Sequence, residues 1–273
     1  MLFMPGDKPR MHEKARTLDA DAIILDLEDA VAEEAKTSAR EIAAQSLRKD
    51  AFPMDILVRI NHPDSPHFGA DVKSLQAVEK LNGIVIPKVE DADTVQKVAD
   101  ALPHLPLWAN IETPKAVLQL ETIAQSDKLS GIIAGVNDLK ANLQLPPANK
   151  WQPRTGLHHA LSHMVLVARA YGLAVMDGVY NRITDLDGLK SECSEGRMLG
   201  FDGKSLIHPT HLEITNKAFT PSEEELKTAR ALVQAYETSS GGAIRLGGEM
   251  VEELHVHRAR AVLQRHEITI NRP

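Results

Sequence analysis

Along this sequence, charged side chains recur just where short apolar runs stop, and their types define the chemistry on offer. Asp26, Glu28 and Asp29 close one run, Arg59 and Asn61 the next, and Lys88 the one after. Glu112, the pair Asn137 and Asp138, Asp177 and His208 follow later runs. Such a series is hard to explain by stability alone, since charges converging on one rim must pair, bind a metal or hold a ligand. Glu112 and Asp138 make the best metal pair. Mg²⁺ takes oxygen ligands and commonly keeps one or two carboxylates, with water and substrate completing its octahedron. The competing reading is that each carboxylate caps the helix after it, as Asp138 is placed to do. Arg59, in LVRIN, is suited to hold a negative oxygen through fixed donors. It could equally pair with Glu28 or Asp29, and the two roles are compatible. Lys88, in IPK, could form an imine as in some aldolases. An acidic rim keeps an amine protonated, which favours ion pairing instead.

The first turn, MPGDKPR, combines Pro5, Gly6, Lys8 and Arg10. It could wrap the phosphates of a cofactor or be an ordinary tight turn with solvated charges. The twelve histidines form no H-E-x-x-H set. The single Cys193 excludes an internal disulfide and any thiolate cluster. It falls on a helical face with Leu186 and Leu189, so burial is expected there rather than nucleophilicity.

The elements that must position these groups are legible in the apolar pattern. The runs are Leu2–Met4, Ala22–Leu27, Ile56–Ile60, Gly83–Ile86, Leu107–Ile111, Gly131–Val136, Leu173–Met176 and Phe201–Ile207. They are rich in Ile, Val and Leu with little alternation, as strands buried on both faces should be. Between them, Val95, Val98, Ala99 and Leu102 recur at helical spacing, as do Leu157, Leu161, Met164, Val165 and Ala168. Thr113–Pro114 reads as a helix start, Gly172 and Gly200 as helix stops, and Ser222 with Glu225 as a capping box.

Eight strand–helix alternations in 273 residues favour an α/β fold of the (β/α)₈ TIM-barrel type with a C-terminal helical extension. A Rossmann-like sheet is the rival, but no G-x-G-x-x-G occurs. The expected division is a catalytic barrel over 1–237, then a Gly-rich linker and helical segment over 238–273. That last piece would cover the barrel mouth or a neighbouring subunit. A formal charge of −7 without a dense basic run argues against a nucleic-acid partner. No apolar run reaches membrane-spanning length, and a cytoplasmic, soluble protein is expected.

Taken together, LFMPGDKP, AIILDLEDAV with Lys36 and Arg40 after it, LVRIN, IPK, ANIETP, AGVNDL and FDGKSLIHP resemble the citrate lyase β-subunit-like family, within the HpcH/HpaI-type aldolases. The resemblance runs in order from residue 2 to about 210. It implies a Mg²⁺-dependent carbon–carbon lyase acting on citryl-, malyl- or citramalyl-CoA, with CoA as part of the substrate. It maps the metal ligands onto Glu112 and Asp138 and the substrate-binding arginine onto Arg59, and it puts Lys8 and Arg10 near CoA. It also implies trimers or multiples of them, in which the C-terminal segment delivers an acid to a neighbour's site.

Three departures stand out. GEMVEE places Glu252 where relatives carry Asp, GVNDL places Asn137 where relatives carry Glu, and IETPKA lacks the Gly found near Ala116. On this reading Arg59 stabilises a thioester enolate, Glu252 exchanges a proton with its carbon, and Glu28 and Asp29 orient Arg59 and water. Asn137, the Ala116 region and the 143–154 loop would shape the acyl pocket. The alternatives are a Lys88 imine aldolase and a citrate lyase β subunit acting on citryl groups carried by acyl carrier protein.

Overall fold

The computed structural model describes residues 1–49, 52–147, 152–239, 243–246 and 249–270. Eight parallel strands form one curled sheet in chain order. They are β1 (Leu2–Pro5), β2 (Ala22–Asp26), β3 (Asp55–Arg59), β4 (Gly83–Ile86), β5 (Leu107–Ile111), β6 (Leu129–Ala134), β7 (Ala174–Asp177) and β8 (Gly203–Lys204). Leu2 also bridges Leu206 in parallel. Phe3 N–H donates to Leu206 O and Leu206 N–H to Met1 O, each at 2.8 Å, so β1 is hydrogen-bonded along both edges.

The helices between strands are α1 (Pro9–Ala15), α2 (Lys36–Lys49), α3 (Phe68–Leu75), α4 (Ala92–Ala101), α5 (Pro114–Leu118), α6 (Leu120–Ala124), α7 (Val136–Asn142), α8 (His158–Tyr171), α9 (Leu186–Leu199) and α10 (Leu212–Phe219). The faces expected to be apolar are the buried ones: Val95, Val98 and Ala99 on α4, and Leu161, Met164, Val165 and Ala168 on α8. Thr113 accepts from Ala116 N–H at 3.1 Å to open α5. Gly172 and Gly200 close α8 and α9 with φ of 69° and 101°, conformations that a side chain would strain. Cys193 and Leu189 are buried as expected, whereas Leu186, at the first turn of α9, is exposed.

Register does the positioning. Asp26 lies opposite Arg59 across β2–β3. Ile111 lies opposite Ala134 across β5–β6, which sets Glu112 beside Gly135. Below these strand ends, Ile24, Leu57, Val85 and Ile133 form a core cluster flanked by Phe3, Trp108 and Met176. The rim charges therefore stand on a packed apolar floor.

Met1–Thr215 and Asn216–Pro273 are two compact units. The second holds α11 (Glu223–Glu237), the ribbon β9 (Ile244–Leu246) and β10 (Glu249–Val251), and α12 (Glu253–Ile270). The Ser222 and Glu225 capping box opens α11. Where a glycine linker was expected, β9 and β10 pair antiparallel. Gly241, Gly242, Gly247 and Gly248 lie outside the described residues.

Candidate active site

Arg59 is the hub of the rim. Its Nε donates to Asp26 Oδ1 at 2.7 Å and its Nη2 to Asp26 Oδ2 at 2.5 Å, a two-pronged pair that fixes the guanidinium plane. Nη1 stands 3.3 Å from Glu28 Oε2. Asp26, rather than Glu28 or Asp29, is thus the principal partner of Arg59. Asp26 is 1% exposed and also accepts the backbone N–H groups of Glu28 and Ala30, both at 2.9 Å. One carboxylate therefore shapes the turn after β2 and aims the arginine at the end of β3. Sequence reading had placed Asp26 on the rim without giving it this role; the match of an Asp with an Arg at the ends of two successive apolar runs was the available signal. Burial works against the Arg59 charge, but Asp26 and Glu28 outweigh it and raise its pKa above the ordinary value.

The turn after β2 is anchored from outside the cleft. Lys36 Nζ donates to Leu27 O at 2.9 Å and to Glu28 O at 2.6 Å. Asn61 Nδ2 donates to Leu27 O at 3.0 Å and to Asp71 Oδ2 at 2.7 Å, and Arg40 pairs with Asp71 at 3.2 Å. Asn61 is accordingly a brace and not a ligand contact.

Lys88 follows β4 with φ of 50°, an uncommon conformation for a residue with a side chain. That twist turns its N–H toward Glu112 Oε1, at 2.6 Å. Its ammonium makes a very short contact with Glu28 Oε1 and lies 3.2 Å from Asp29 Oδ1. Burial disfavours the ammonium, but Glu28 and Asp29 outweigh it and hold its pKa above that of an ordinary lysine. An amine so protonated and paired is a poor imine nucleophile, which favours the ion-pair reading. Burial pushes the Glu28 carboxyl up. Burial acts the same way on Asp29, where Lys88 and Arg59 prevail and hold it below the usual carboxylate range.

Glu112 is 2% exposed, and burial, with the Asp138 charge adding, pushes its carboxyl up to about 7 against the opposing Lys88 N–H and Arg59. Gly135 makes room for it: a Cβ there would overlap Glu112 Cβ and lie 2.6 Å from Oε2. Asp138 sits in the first turn of α7, whose N-cap Gly135 offers no side-chain cap, and its carboxylate accepts no hydrogen bond among the described residues. Asn110 Oδ1, on the neighbouring β5, is buried without a partner. Among the described residues no group of three His, Cys, Asp or Glu is placed to enclose a metal. A desolvated carboxyl raised toward neutrality beside a second, unbonded carboxylate suits a hard divalent cation that keeps most of its water, as Mg²⁺ does. The donor set fits the ion.

Asp26, Asp29, Arg59, Asn110, Glu112 and Asp138 line one cleft of about 300 Å³, together with Phe3, Gly135, Asn137 and Val179. Other candidates fall elsewhere. Asp177 is fully buried, paired with Arg154 at 2.7 Å and Lys204 at 2.9 Å, and Lys204 also meets Glu192 at 2.8 Å. His208 caps a short 3₁₀ turn through Thr210 N–H. In the first turn, Gly6 approaches β2 so closely that a Cβ would lie 2.8 Å from Asp26 O. Pro5 O accepts from His12 Nε2 at 2.9 Å. Lys8 pairs with Asp7 at 2.6 Å, and Lys8 and Arg10 are both exposed. Glu252 is exposed in the second unit, where its N–H donates to His255 Nδ1 at 3.0 Å.

A curled parallel sheet with acids and one clamped arginine at its strand ends defines an α/β protein with its charged groups gathered on one cleft. The model of the HpcH/HpaI aldolase/citrate lyase family matches residues 1–209, and the chain belongs to this family. It is an enzyme of the acyl-CoA lyase type. It is 42% identical over 272 residues to a (3S)-malyl-CoA thioesterase of Cereibacter sphaeroides, covering 98% of this chain and 94% of the relative. It is 31% identical over 280 residues to the citrate lyase β subunit of Leuconostoc mesenteroides, covering 97% and 91%. Its fold is similar to that of CitE from Mycobacterium tuberculosis, solved with magnesium, acetoacetate and coenzyme A, with a TM-score of 0.84, 31% identity and 97% of each chain covered.

Proposed function

We propose that the chain is a Mg²⁺-dependent carbon–carbon lyase of β-hydroxyacyl-CoA esters, with malyl-CoA ahead of citramalyl- and citryl-CoA. The observation that carries this is the Glu112 and Asp138 pair facing a clamped Arg59 in one cleft, in a chain 42% identical to an enzyme named for malyl-CoA. Glu112 and Asp138 would hold the ion, which when bound supplies Lewis-acid polarisation of the substrate's hydroxyl-bearing end. Lys88 N–H holds one oxygen of Glu112 in place. Arg59, unable to rotate out of its Asp26 fork, presents a fixed positive charge to the oxygen of the thioester enolate. Asp26, with Glu28 beside it, orients Arg59, and Glu28 and Asp29 would position water. Glu252, from a neighbouring chain of a trimer, exchanges a proton with the enolate carbon. The turn of Pro5, Gly6, Lys8 and Arg10 lies toward CoA. The scaffold is a (β/α)₈ barrel closed by the Leu2–Leu206 bridge, functionally 1–237, with 238–273 as a C-terminal segment, in a cytoplasmic enzyme. No helix among the described residues is long and apolar enough to cross a membrane.

A second reading is favoured by the printed activity of that same relative. In thioester hydrolysis, water adds its oxygen to the acyl carbon and the C–S bond breaks, giving malate and the CoA thiol. A third reading, a β subunit working on citryl-acyl carrier protein, follows the citrate lyase relatives. Malyl-, citramalyl- and citryl-CoA incubated with Mg²⁺, then with excess EDTA, separate the three. Acetyl-CoA plus keto acid that vanishes with EDTA supports the lyase. Free thiol plus the hydroxy acid marks the thioesterase, and no turnover of any free ester marks the carrier-dependent subunit.

A further inference from the structure

A second cavity, of about 600 Å³, borders the cleft and is lined by Lys140, Arg154, Val179, Tyr180, Asn181 and Glu192 among others. Val179 lines both spaces. Between them stand two amides: Asn181 Nδ2 donates to Asn137 Oδ1 at 2.7 Å, and Asn137 Nδ2 donates back to Asn181 Oδ1 at 3.2 Å. Asn137 belongs to the cleft and Asn181 to the cavity beyond it. The reciprocal pair joins the first turn of α7 to the loop after β7. Both residues are exposed, so water competes for each bond and the closure is soft.

The far cavity carries unused donors. The Arg154 side chain is 3% exposed; its Nη1 is engaged by Asp177 and its Nε by Glu195, and its Nη2 has no partner. The Lys140 amine makes no hydrogen bond among the described residues, and it is close enough to feel the charges of Glu192, Arg154, Lys204 and Asp177. Lys140 and Arg154 line this cavity together with Glu192, so a carboxylate entering it would meet two cations against one anion there.

We propose that the Asn137–Asn181 pair is a specificity gate. It confines the acyl group to the 300 Å³ cleft and shuts off a neighbouring subsite, built on Lys140 and Arg154, that would accept the additional carboxymethyl arm of a tricarboxylic acyl group. This rests on the acyl-CoA reading above and deepens it. The chain then handles the four-carbon ester because the wall stands, and not because the scaffold lacks room for the six-carbon one. A glutamate at position 137 would meet Asn181 with a full charge and no donor, so the reciprocal pair is particular to asparagine there.

The test is the ratio of kcat/KM for citryl-CoA to that for malyl-CoA in the wild type, in Asn137→Ala/Asn181→Ala, and in that variant with Lys140→Met added. Opening the wall is expected to raise the ratio by at least about 10-fold, as a pocket change of this size can. Citramalyl-CoA, whose extra group is a methyl, should gain less, and Lys140→Met should cancel the citryl gain. An unchanged ratio in folded, malyl-active variants overturns the gate. If the wild type turns over no ester, the acyl-CoA reading fails by itself. The gate is then read by calorimetry of malate and citrate binding with Mg²⁺: citrate binding gained only in the opened variant supports it, and equal citrate binding by both proteins overturns it.

Discussion

At the scale of single residues, the site is organised by what its charges do to one another. Arg59 and Asp26 are nearly buried, so removing the arginine leaves a carboxylate without its counter-charge in a desolvated place. Arg59→Ala is expected to lower the unfolding free energy by about 3 kcal/mol, read by urea denaturation. Arg59→Lys keeps the charge and the fold but loses the fork, and should lower kcat by about 10²-fold. Near-normal turnover in a folded Arg59→Lys protein would remove the arginine from the chemistry. These roles were partly legible beforehand. Glu112, Asp138, Arg59 and Asp29 stood out because each ends an apolar run, and all of them line one cleft. Asp177 ended a run too and lies outside it. Sequence shows that a strand stops in a charge, but not whether the side chain turns into the cleft or meets a buried lysine. The positive φ of Lys88 left no mark either, since nothing in IPK distinguishes an extended lysine from a left-handed one.

At the scale of elements, seven of the eight strands fall within two residues of the expected bounds at each end because their runs of Ile, Val and Leu are unbroken. The eighth shrinks to Gly203–Lys204. Lys204 there points at Asp177 and Glu192, so what reads as an interrupted strand is a strand whose buried residue is charged. His12 shows a similar reversal. It is fully buried where α1 meets β1 and α2, accepting at Nδ1 from Ser46 Oγ at 2.9 Å and donating from Nε2 to Pro5 O. Burial holds its imidazole below the ordinary pKa, and the same cause acts on His211. In the unfolded chain histidine titrates near ~6.5, so below that pH the unfolded state binds protons that the folded state refuses. The stability these two histidines contribute is therefore full above pH ~6.5 and falls as the solution is acidified. The Glu112 carboxyl, raised to about 7, acts in the opposite sense over the same range, so the histidine share is read as a difference in melting temperature. Acidification from pH 7.5 to pH 5.5 should destabilise His12→Gln less than the wild type, leaving the share due to His211. A slope that His12→Gln leaves untouched would mean His12 does not titrate between the two states.

At the scale of the whole molecule, the role proposed for Glu252 bears on how chains cooperate. Its assignment to a neighbour's site predicts trimers or multiples of them, measurable by light scattering as integral multiples of three chain masses. It also predicts complementation. Mixing inactive Arg59→Ala chains with inactive Glu252→Ala chains, after dissociation and reassembly, should restore partial turnover, because some sites then combine an intact Arg59 with an intact Glu252. If mixtures stay inactive although mixed oligomers form, Glu252 serves its own chain or none. None of this could be read from periodicity, because the departure GEMVEE gives the residue type but not the chain it serves.

The bridge between Leu2 and Leu206 has a consequence for how the protein comes into being. Every other strand of the sheet meets its partner within one helical crossover, so pairing can advance as the chain leaves the ribosome. The outer edge of β1 cannot be satisfied until residue 206 has been made. Through most of synthesis that edge, apolar and unpaired, is a template for any other extended strand nearby. The slow, aggregation-exposed step of folding is thus set by topology, and the last strand, the shortest and least strand-like of the eight, is the one that ends it.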